Sequence, residues 1–522
     1  MVEDNIGTPE LKESIDTSQN TLDFLNRKGV VAKEMEQLIT PKQTVKKVSI
    51  GLIGIGFELH FDWEKAKKSY SEALQQTKRA MGENNSLLAP KEPVQTKADL
   101  LALLNEYNAQ GMSGLIIYQA SYIAGDLALA LANWLREHAI PLLSWSHDEV
   151  TGGRLTANRL CGQNFLLNIL NGMEVKYSWV VNAPKSLQLD QVLDRFIRVV
   201  TAKKHLQNST VLMIGGMRVP GFYDCELNEL SISKHFGLGI DRVDIETVWR
   251  YGEKFAKKDI DKIVSKLIND ENCGLSKVNE RELFLSVRFS LAIADYARQG
   301  NYLGVALKNW PELFDNYKIA GDGAGALVQD LGIPISDESD MGGLITMVAI
   351  NEITQGKALP TLMDLSILNA EENKLGMWHC GGSPTRLLRS GTKFEVRNHS
   401  ILDNYDEAQS YGMLLEFLLE KGAVTIAKYQ YPHASDMLSF EGKIIDSPMR
   451  FRGAYGEIVT QNVKASAVVG TILSKGLDHH WIVGRGHFQE DLKEFNHWAN
   501  VQDIAFVNEG LSGRSIQKHL NY

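Results

Sequence analysis

Two carboxylates and a histidine, remote from one another along the chain, stand in settings that demand a partner. Glu338 lies in SDESDMGG, between Asp337 and Asp340 and just ahead of the helical run MGGLITMVAINEI. Acidic side chains there have an ordinary role, capping the helix and meeting the positive end of its dipole. Asp364 has no such role, being a lone acid in the apolar stretch LPTLMDLSIL. Burying a carboxylate among Leu, Met and Ile is costly unless it is paired or binds a metal. Farther on, GLDHHWIVGRGHF carries His479 and His480 side by side. Neighbours in a strand face opposite sides, so at most one of the two readily reaches a given site. Two carboxylates and one imidazole make an oxygen-rich donor set without a thiolate. Such a set suits Mn²⁺ or Mg²⁺, with water or substrate filling the remaining octahedral positions.

Three further segments bear on chemistry. LGMWHCGGSP (375–384) places Trp378, His379 and Cys380 at a strand end before a Gly-Gly turn; packed aromatic with hydrogen-bonded histidine is its plain reading. IGGMRVPGFYD (214–224) carries Arg218 at a glycine-rich strand end. A guanidinium there either grips a sugar hydroxyl or an anionic substituent in a two-pronged contact, or forms a salt bridge. GLIGIGF supplies Gly51, Gly54 and Gly56, but in the order GxxGxG, and it runs into FELHFDWEKA. That departs from the dinucleotide fingerprint, so the expected reading is a tight strand-to-loop turn whose loop can still line a ligand crevice.

With Glu338, Asp364, the WHCG segment and the HHW segment in this order, the chain resembles the L-fucose isomerase and L-arabinose isomerase superfamily. The resemblance is most specific from about Arg218 to Gly486, and WHCG is similar to a divergent branch, that of sulfoquinovose isomerase. It implies Mn²⁺-dependent aldose–ketose isomerisation through a cis-enediol, with Mg²⁺ or Co²⁺ as substitutes, and assembly as a trimer or hexamer. It further implies that Glu338 binds the metal and shuttles a proton, that Asp364 is the second metal carboxylate, and that His480 rather than His479 is the metal imidazole. Arabinose isomerases use two glutamates and two histidines. Here the second acid is Asp364 and the only nearby candidate for another imidazole is His379, which points to the fucose-like three-ligand pattern. His379 is then left to the substrate, together with Trp378, His479 and Arg218. The implied substrate is a 6-substituted or 6-deoxy hexose: sulfoquinovose going to sulfofructose, or L-fucose to L-fuculose. A sulfonate at carbon 6 needs a cation and donors around it; Arg218 is the first candidate, with Arg386, Arg450 and Arg452 behind it. The alternative is a non-catalytic sugar-binding protein or sensor using the same α/β cleft, indifferent to EDTA. A nucleotide-dependent dehydrogenase using the first glycine loop would leave the acid pair and the late histidine unexplained.

The elements that must position these groups follow from the pattern of apolar runs. VSIGLIGIGF (48–57), SGLIIYQ (113–119), PLLSWSH (141–147) and STVLMIGG (209–216) alternate with helical stretches, as parallel strands buried on both faces do. VDIETVW near 243 continues that series, and the first 40 residues read as a polar helical arm. After Pro360, KFEVRN, AVTIAKYQY, KIIDSP, RGAYGEIV and HHWIVGRGHF are short, β-branched and broken by Gly, Pro or Asp. The expected fold class is therefore α/β, with two doubly wound parallel-sheet domains at 1–180 and 181–360 and an antiparallel β-rich carboxyl-terminal domain at 361–522 completing the site. Lys plus Arg number 55 against 64 Asp plus Glu, a net charge of −9 that argues against binding a phosphate backbone. No apolar window reaches the length of a membrane span before a polar residue interrupts it. Cys161, Cys225, Cys273 and Cys380 form no CxxC pair, and the acidic amino terminus lacks the cationic start of a secretory signal, so a reducing, cytoplasmic setting is expected.

Overall fold

The run at 48–57 forms β1 (Val48–Ile55), the centre of a parallel sheet completed by β2 (Asn85–Leu88), β3 (Met112–Gln119), β4 (Leu142–Ser146) and β5 (Ser178–Val181) in the order β2-β1-β3-β4-β5. A computed structural model describes residues 26–43, 47–59, 61–82, 85–401, 410–507 and 512–516. Helices such as Trp63–Ala80 and Gly125–His138 connect the strands, which is why β1, β3 and β4 read as almost unbroken apolar runs. Gly51 and Gly54 lie inside β1 rather than in a turn beyond it. A Cβ on Gly54 would stand 2.5 Å from the Tyr70 ring. Gly54 lets a helix side chain press against the strand and Gly51 makes room for Met112 of β3, which corrects the expected strand-to-loop turn. The sheet belongs to a compact unit of residues 44–208 and 493–500; the rest of the described chain forms the second unit.

That second unit begins with another parallel sheet. Its strands are β6 (Thr210–Ile214), β7 (Gly239–Val243), β9 (Val305–Leu307) and β10 (Ile335–Ser336), ordered β10-β9-β6-β7, while β8 (Cys273–Ser276) joins a different sheet. VDIETVW does not continue the strand series: β7 ends at Val243 and Ile245–Tyr251 is helical. Ile245 and Val248 are buried and Trp249 packs partly against the same core, a spacing that suits a helix face. The expected helical arm lies partly outside the described residues; within 26–40 the chain has one short helix, Ala32–Glu36.

The carboxyl-terminal sheet is mixed and largely antiparallel. It contains β11 (Thr361–Asn369), β12 (Lys374–His379), β13 (Phe394–Asn398), β14 (Gly412–Leu418), β15 (Gly422–Tyr429), β16 (Asp436–Ile444), β17 (Ala454–Gln461), β18 (His480–Arg485) and β19 (Gln502–Asp503). In the order β16-β15-β18-β11-β12-β17 every neighbour is antiparallel, and β16 also pairs with β17. Six strands thus close into a barrel. The protein is α/β, with two parallel sheets followed by this β-rich layer. Between the parallel and antiparallel parts runs the helix Met341–Ile353, buried over nearly its whole circumference, as its all-round apolar sequence requires. Among the described residues no helix is long and apolar enough to cross a membrane.

One buried acid ties the helix Asp322–Asp330 to the segment after β12. Asp330 accepts hydrogen bonds from the Thr385 hydroxyl and the Arg386 amide, yet burial pushes its carboxyl up to about 6. Arg386 itself donates to the Arg27 carbonyl. A folded-state value above the unfolded one means stability is full below about pH 4 and is lost as pH rises through about 6. The gap is worth ~3 kcal/mol at about 1.4 kcal/mol per pH unit. Asp330→Asn should therefore gain on the parent as pH climbs from 4 to 7, measured as the difference in urea midpoint. A difference that stays constant over that range would contradict the account.

Candidate active site

Glu338 stands on a single turn, Asp337–Ser339, between β10 and the helix Met341–Ile353. Its backbone is left-handed, with φ 60°, and Ser339 follows at φ 55°. Two such residues in succession without glycine carry strain that the surroundings must hold, a pattern concentrated at functional sites. The Glu338 amide donates to Asn309 Oδ1 at 3.0 Å, and the Trp310 indole N–H donates to Glu338 Oε1 at 3.1 Å. The other oxygen, Oε2, lies 3.0 Å from His480 Nε2. Burial pushes the Glu338 carboxyl up, but His480, His379 and the Trp310 indole outweigh it and hold the group below its ordinary value.

Strand register supplies the second acid. Asp364 on β11 pairs directly with His480 on β18 and with Trp378 on β12. Directly opposed residues of antiparallel strands share a face. Asp364 Oδ1 comes within 3.7 Å of His480 Nε2, and among the described residues this buried oxygen meets no hydrogen-bond donor. A carboxylate oxygen left without a donor beside an imidazole nitrogen is a donor type that suits a hard cation. By donor type Glu338, Asp364 and His480 could hold a divalent metal, but the ligand atoms that lie within 4.8 Å of one another are those of Glu338, His379 and His480, with Asp364 reaching the set through His480.

His480 is 2% exposed and is held from behind. Its Nδ1 lies 3.0 Å from Asp340 Oδ2 and 3.8 Å from Cys225 Sγ, so Nε2 faces the two acids. Burial lowers the imidazole's proton affinity, but Asp340, Cys225 and Glu338 together raise it well above the usual value. His479 points elsewhere: its Nδ1 meets Asp224 Oδ2 at 2.7 Å, and its ring meets the edge of Phe222. Burial tends to raise the Asp224 carboxyl, yet His479 draws it down to about 2.

The structure also draws in His379, whose ring nitrogen, a carboxylate oxygen of Glu338 and a ring nitrogen of His480 all lie within 4.8 Å of one another. Its Nδ1 is 3.5 Å from Asp337 Oδ2. Trp378 is half-buried across from Asp364 and donates its indole N–H to the Arg452 carbonyl at 2.6 Å. Arg218 takes the salt-bridge reading: its guanidinium pairs with Glu226 at 3.4 Å and lies over the Tyr223 ring. Arg450 pairs with Glu457, and Arg452 with Glu416.

The local sequence marks Asp340 only as a helix cap. It does cap, accepting from the Gly343 amide at 2.8 Å, but its other oxygen meets His480 and the Lys428 ammonium. Lys428 was passed over within AVTIAKYQY, although a lone lysine in an apolar strand is the signal that finds it. It is 1% exposed. Trp310, Asn309, Asp224 and Cys225 were also missed, and nothing in their local sequence marks them.

No family model matches the chain. It is 25% identical to the sulfoquinovose isomerase of Alkalicoccus urumqiensis over 441 residues, covering 82% of this chain and 93% of that one. The sulfoquinovose isomerase of Priestia aryabhattai is 23% identical over 453 residues, 86% of this chain and 97% of that protein. That of Clostridium sp. (strain MSTE9) is 23% identical over 371 residues, 70% and 80% of the two chains. Among solved structures, the XylFII-LytSN complex covers 59% of this chain and 94% of its own at a TM-score of 0.15, too low to bear on the fold. The sequence likenesses, extending over most of each protein, make this chain an enzyme of the aldose–ketose isomerase class.

Proposed function

We propose that the protein is a metal-dependent isomerase converting sulfoquinovose, a hexose with a sulfonate at carbon 6, to sulfofructose. The observation that carries the reading is the convergence of His480 Nε2 on Glu338 at 3.0 Å and on Asp364 at 3.7 Å. The relatives from Alkalicoccus, Priestia and Clostridium support the substrate, and the order of the motifs supports kinship with the fucose and arabinose isomerases. Glu338, Asp364 and His480 would hold Mn²⁺, with His379 beside them. The cation supplies Lewis-acid polarisation of the sugar carbonyl and stabilises negative charge as it develops.

The chain's own groups do the proton work. Glu338, held ionised, takes the proton from carbon 2 and returns it to carbon 1, so one base serves both carbons of a cis-enediol. The Trp310 indole fixes Oε1 and thereby the direction of Oε2. Asp364 assists proton movement between the two sugar oxygens. Arg218 is the cation proposed for the sulfonate, exchanging its 3.4 Å contact with Glu226 for the ligand.

The test is turnover of sulfoquinovose against L-fucose and L-arabinose, before and after EDTA. Sulfoquinovose should be the best of the three, and Mn²⁺ should restore activity lost to the chelator. Turnover that survives exhaustive chelation, or a preference for L-fucose, would overturn the reading. Charge-assisted hydrogen bonds are worth about 1.5–3 kcal/mol, so Arg218→Ala should raise KM for sulfoquinovose by roughly 10- to 100-fold. An unchanged KM would remove Arg218 from the substrate.

A further inference from the structure

Behind His480 runs a string of buried charges that the proposed chemistry leaves unused. Asp340 is fully buried, and its oxygens are divided: Oδ1 accepts from the Gly343 amide at 2.8 Å, and Oδ2 meets both His480 Nδ1 at 3.0 Å and the Lys428 ammonium. Lys428 reaches on to Asp478 Oδ2 at 3.9 Å, and Asp478 accepts from the Tyr431 amide at 3.1 Å. All three charged residues are at most 4% exposed. A buried ammonium between two buried carboxylates is weak as a source of stability, because desolvation cancels most of the attraction. The arrangement is also accommodated at a cost to the helix. Gly342 and Gly343 sit in its first turn, where glycine is a poorer helix former than alanine. A Cβ on Gly342 would stand 3.0 Å from Lys428 Cε, and one on Gly343 2.8 Å from Asp340 Oδ2. The glycine pair keeps room for this contact.

We propose that Asp340 and Lys428 are positioning residues for the metal imidazole. The inference rests on the reading of His480 as a metal ligand. An ionised carboxylate only accepts, so Asp340 requires a proton of His480 on Nδ1 and makes Nε2 the nitrogen turned toward Glu338 and Asp364, the one that would give its lone pair to a metal. Lys428 balances the charge on Asp340 and fixes the direction of Oδ2, and Asp478 holds Lys428 at its far side. Partners of this kind set ring orientation and typically carry 10- to 100-fold in metal affinity.

The experiment measures the Mn²⁺ dissociation constant by electron paramagnetic resonance in the full-length chain and in Asp340→Asn, Lys428→Met and the double variant. Asparagine still caps the helix, and the double variant removes the Asp340–Lys428 pair together while Asp478 keeps the Tyr431 amide, so it serves as the folded comparison where Lys428→Met alone does not fold. Asp340→Asn should raise the Mn²⁺ Kd by about 10- to 100-fold. The double variant should bind no more weakly than Asp340→Asn, because Lys428 acts only through Asp340. A parental Kd in Asp340→Asn, or a further loss in the double variant, would overturn the proposal. Absence of Mn²⁺ binding by the parent chain would instead sink the metal site itself, which separates the two failures.

Discussion

Glu338→Gln should lower kcat by about 10² to 10⁴ with metal still bound, the contribution a positioned general base ordinarily makes. Glutamine keeps the size of the side chain and one carbonyl oxygen, so the 3.1 Å contact from the Trp310 indole can persist. What it loses is a site that accepts a proton from carbon. The amide NH₂ would also face either the indole or His480 Nε2, which lies 3.0 Å from Oε2 in the parent. Exchange of the sugar's carbon-bound hydrogen with deuterated water reads the same step directly, and it should fall in parallel with kcat. More than a tenth of parental kcat in a metal-loaded Glu338→Gln protein would take the base role away from this residue.

His480→Ala should all but abolish metal retention, beyond the 10- to 100-fold typical of outer partners. Nε2 is the atom that faces both acids, at 3.0 Å and 3.7 Å. Without it, Glu338 Oε2 and Asp364 Oδ1 each lose the imidazole beside them, and Asp340 loses its partner as well. A buried acceptor stripped of its partner costs about 1–3 kcal/mol, so the variant should also melt earlier than the parent. Metal content of the purified protein, measured by mass spectrometry, decides the matter: parental Mn²⁺ content in folded His480→Ala would exclude His480 as a ligand. Asp364→Asn should weaken Mn²⁺ less, since an amide oxygen still ligates but brings no charge.

The strands were legible wherever burial on both faces leaves an unbroken apolar run, as in β1, β3, β4 and β6. The acids stood out for the opposite reason. Asp364 is conspicuous because nothing apolar tolerates it, and the structure places it across from His480. Lys428 escaped because one charge in a strand of mixed faces passes for a solvent-facing residue, whereas here the first turn of the helix Met341–Ile353 covers it. Asp340 was legible only as a cap, since a local pattern reports the bond to Gly343 and is silent about a strand arriving from far along the chain. VDIETVW misled because a β-branched run shorter than two helical turns carries too few positions to fix its period. The glycines of β1 misled because close packing and phosphate cradling both call for a missing side chain.

The ring formed by β16, β15, β18, β11, β12 and β17 has no free margin. Asp364 and His480 occupy adjoining staves of it, so neither can slide past the other without breaking rungs all the way round. Displacement by a single position would send one side chain to the opposite face of the sheet. The spacing of the two groups is thereby as rigid as if they shared one helix, and the hairpins at the rim are free to lengthen or change their residues while the grip stays the same width.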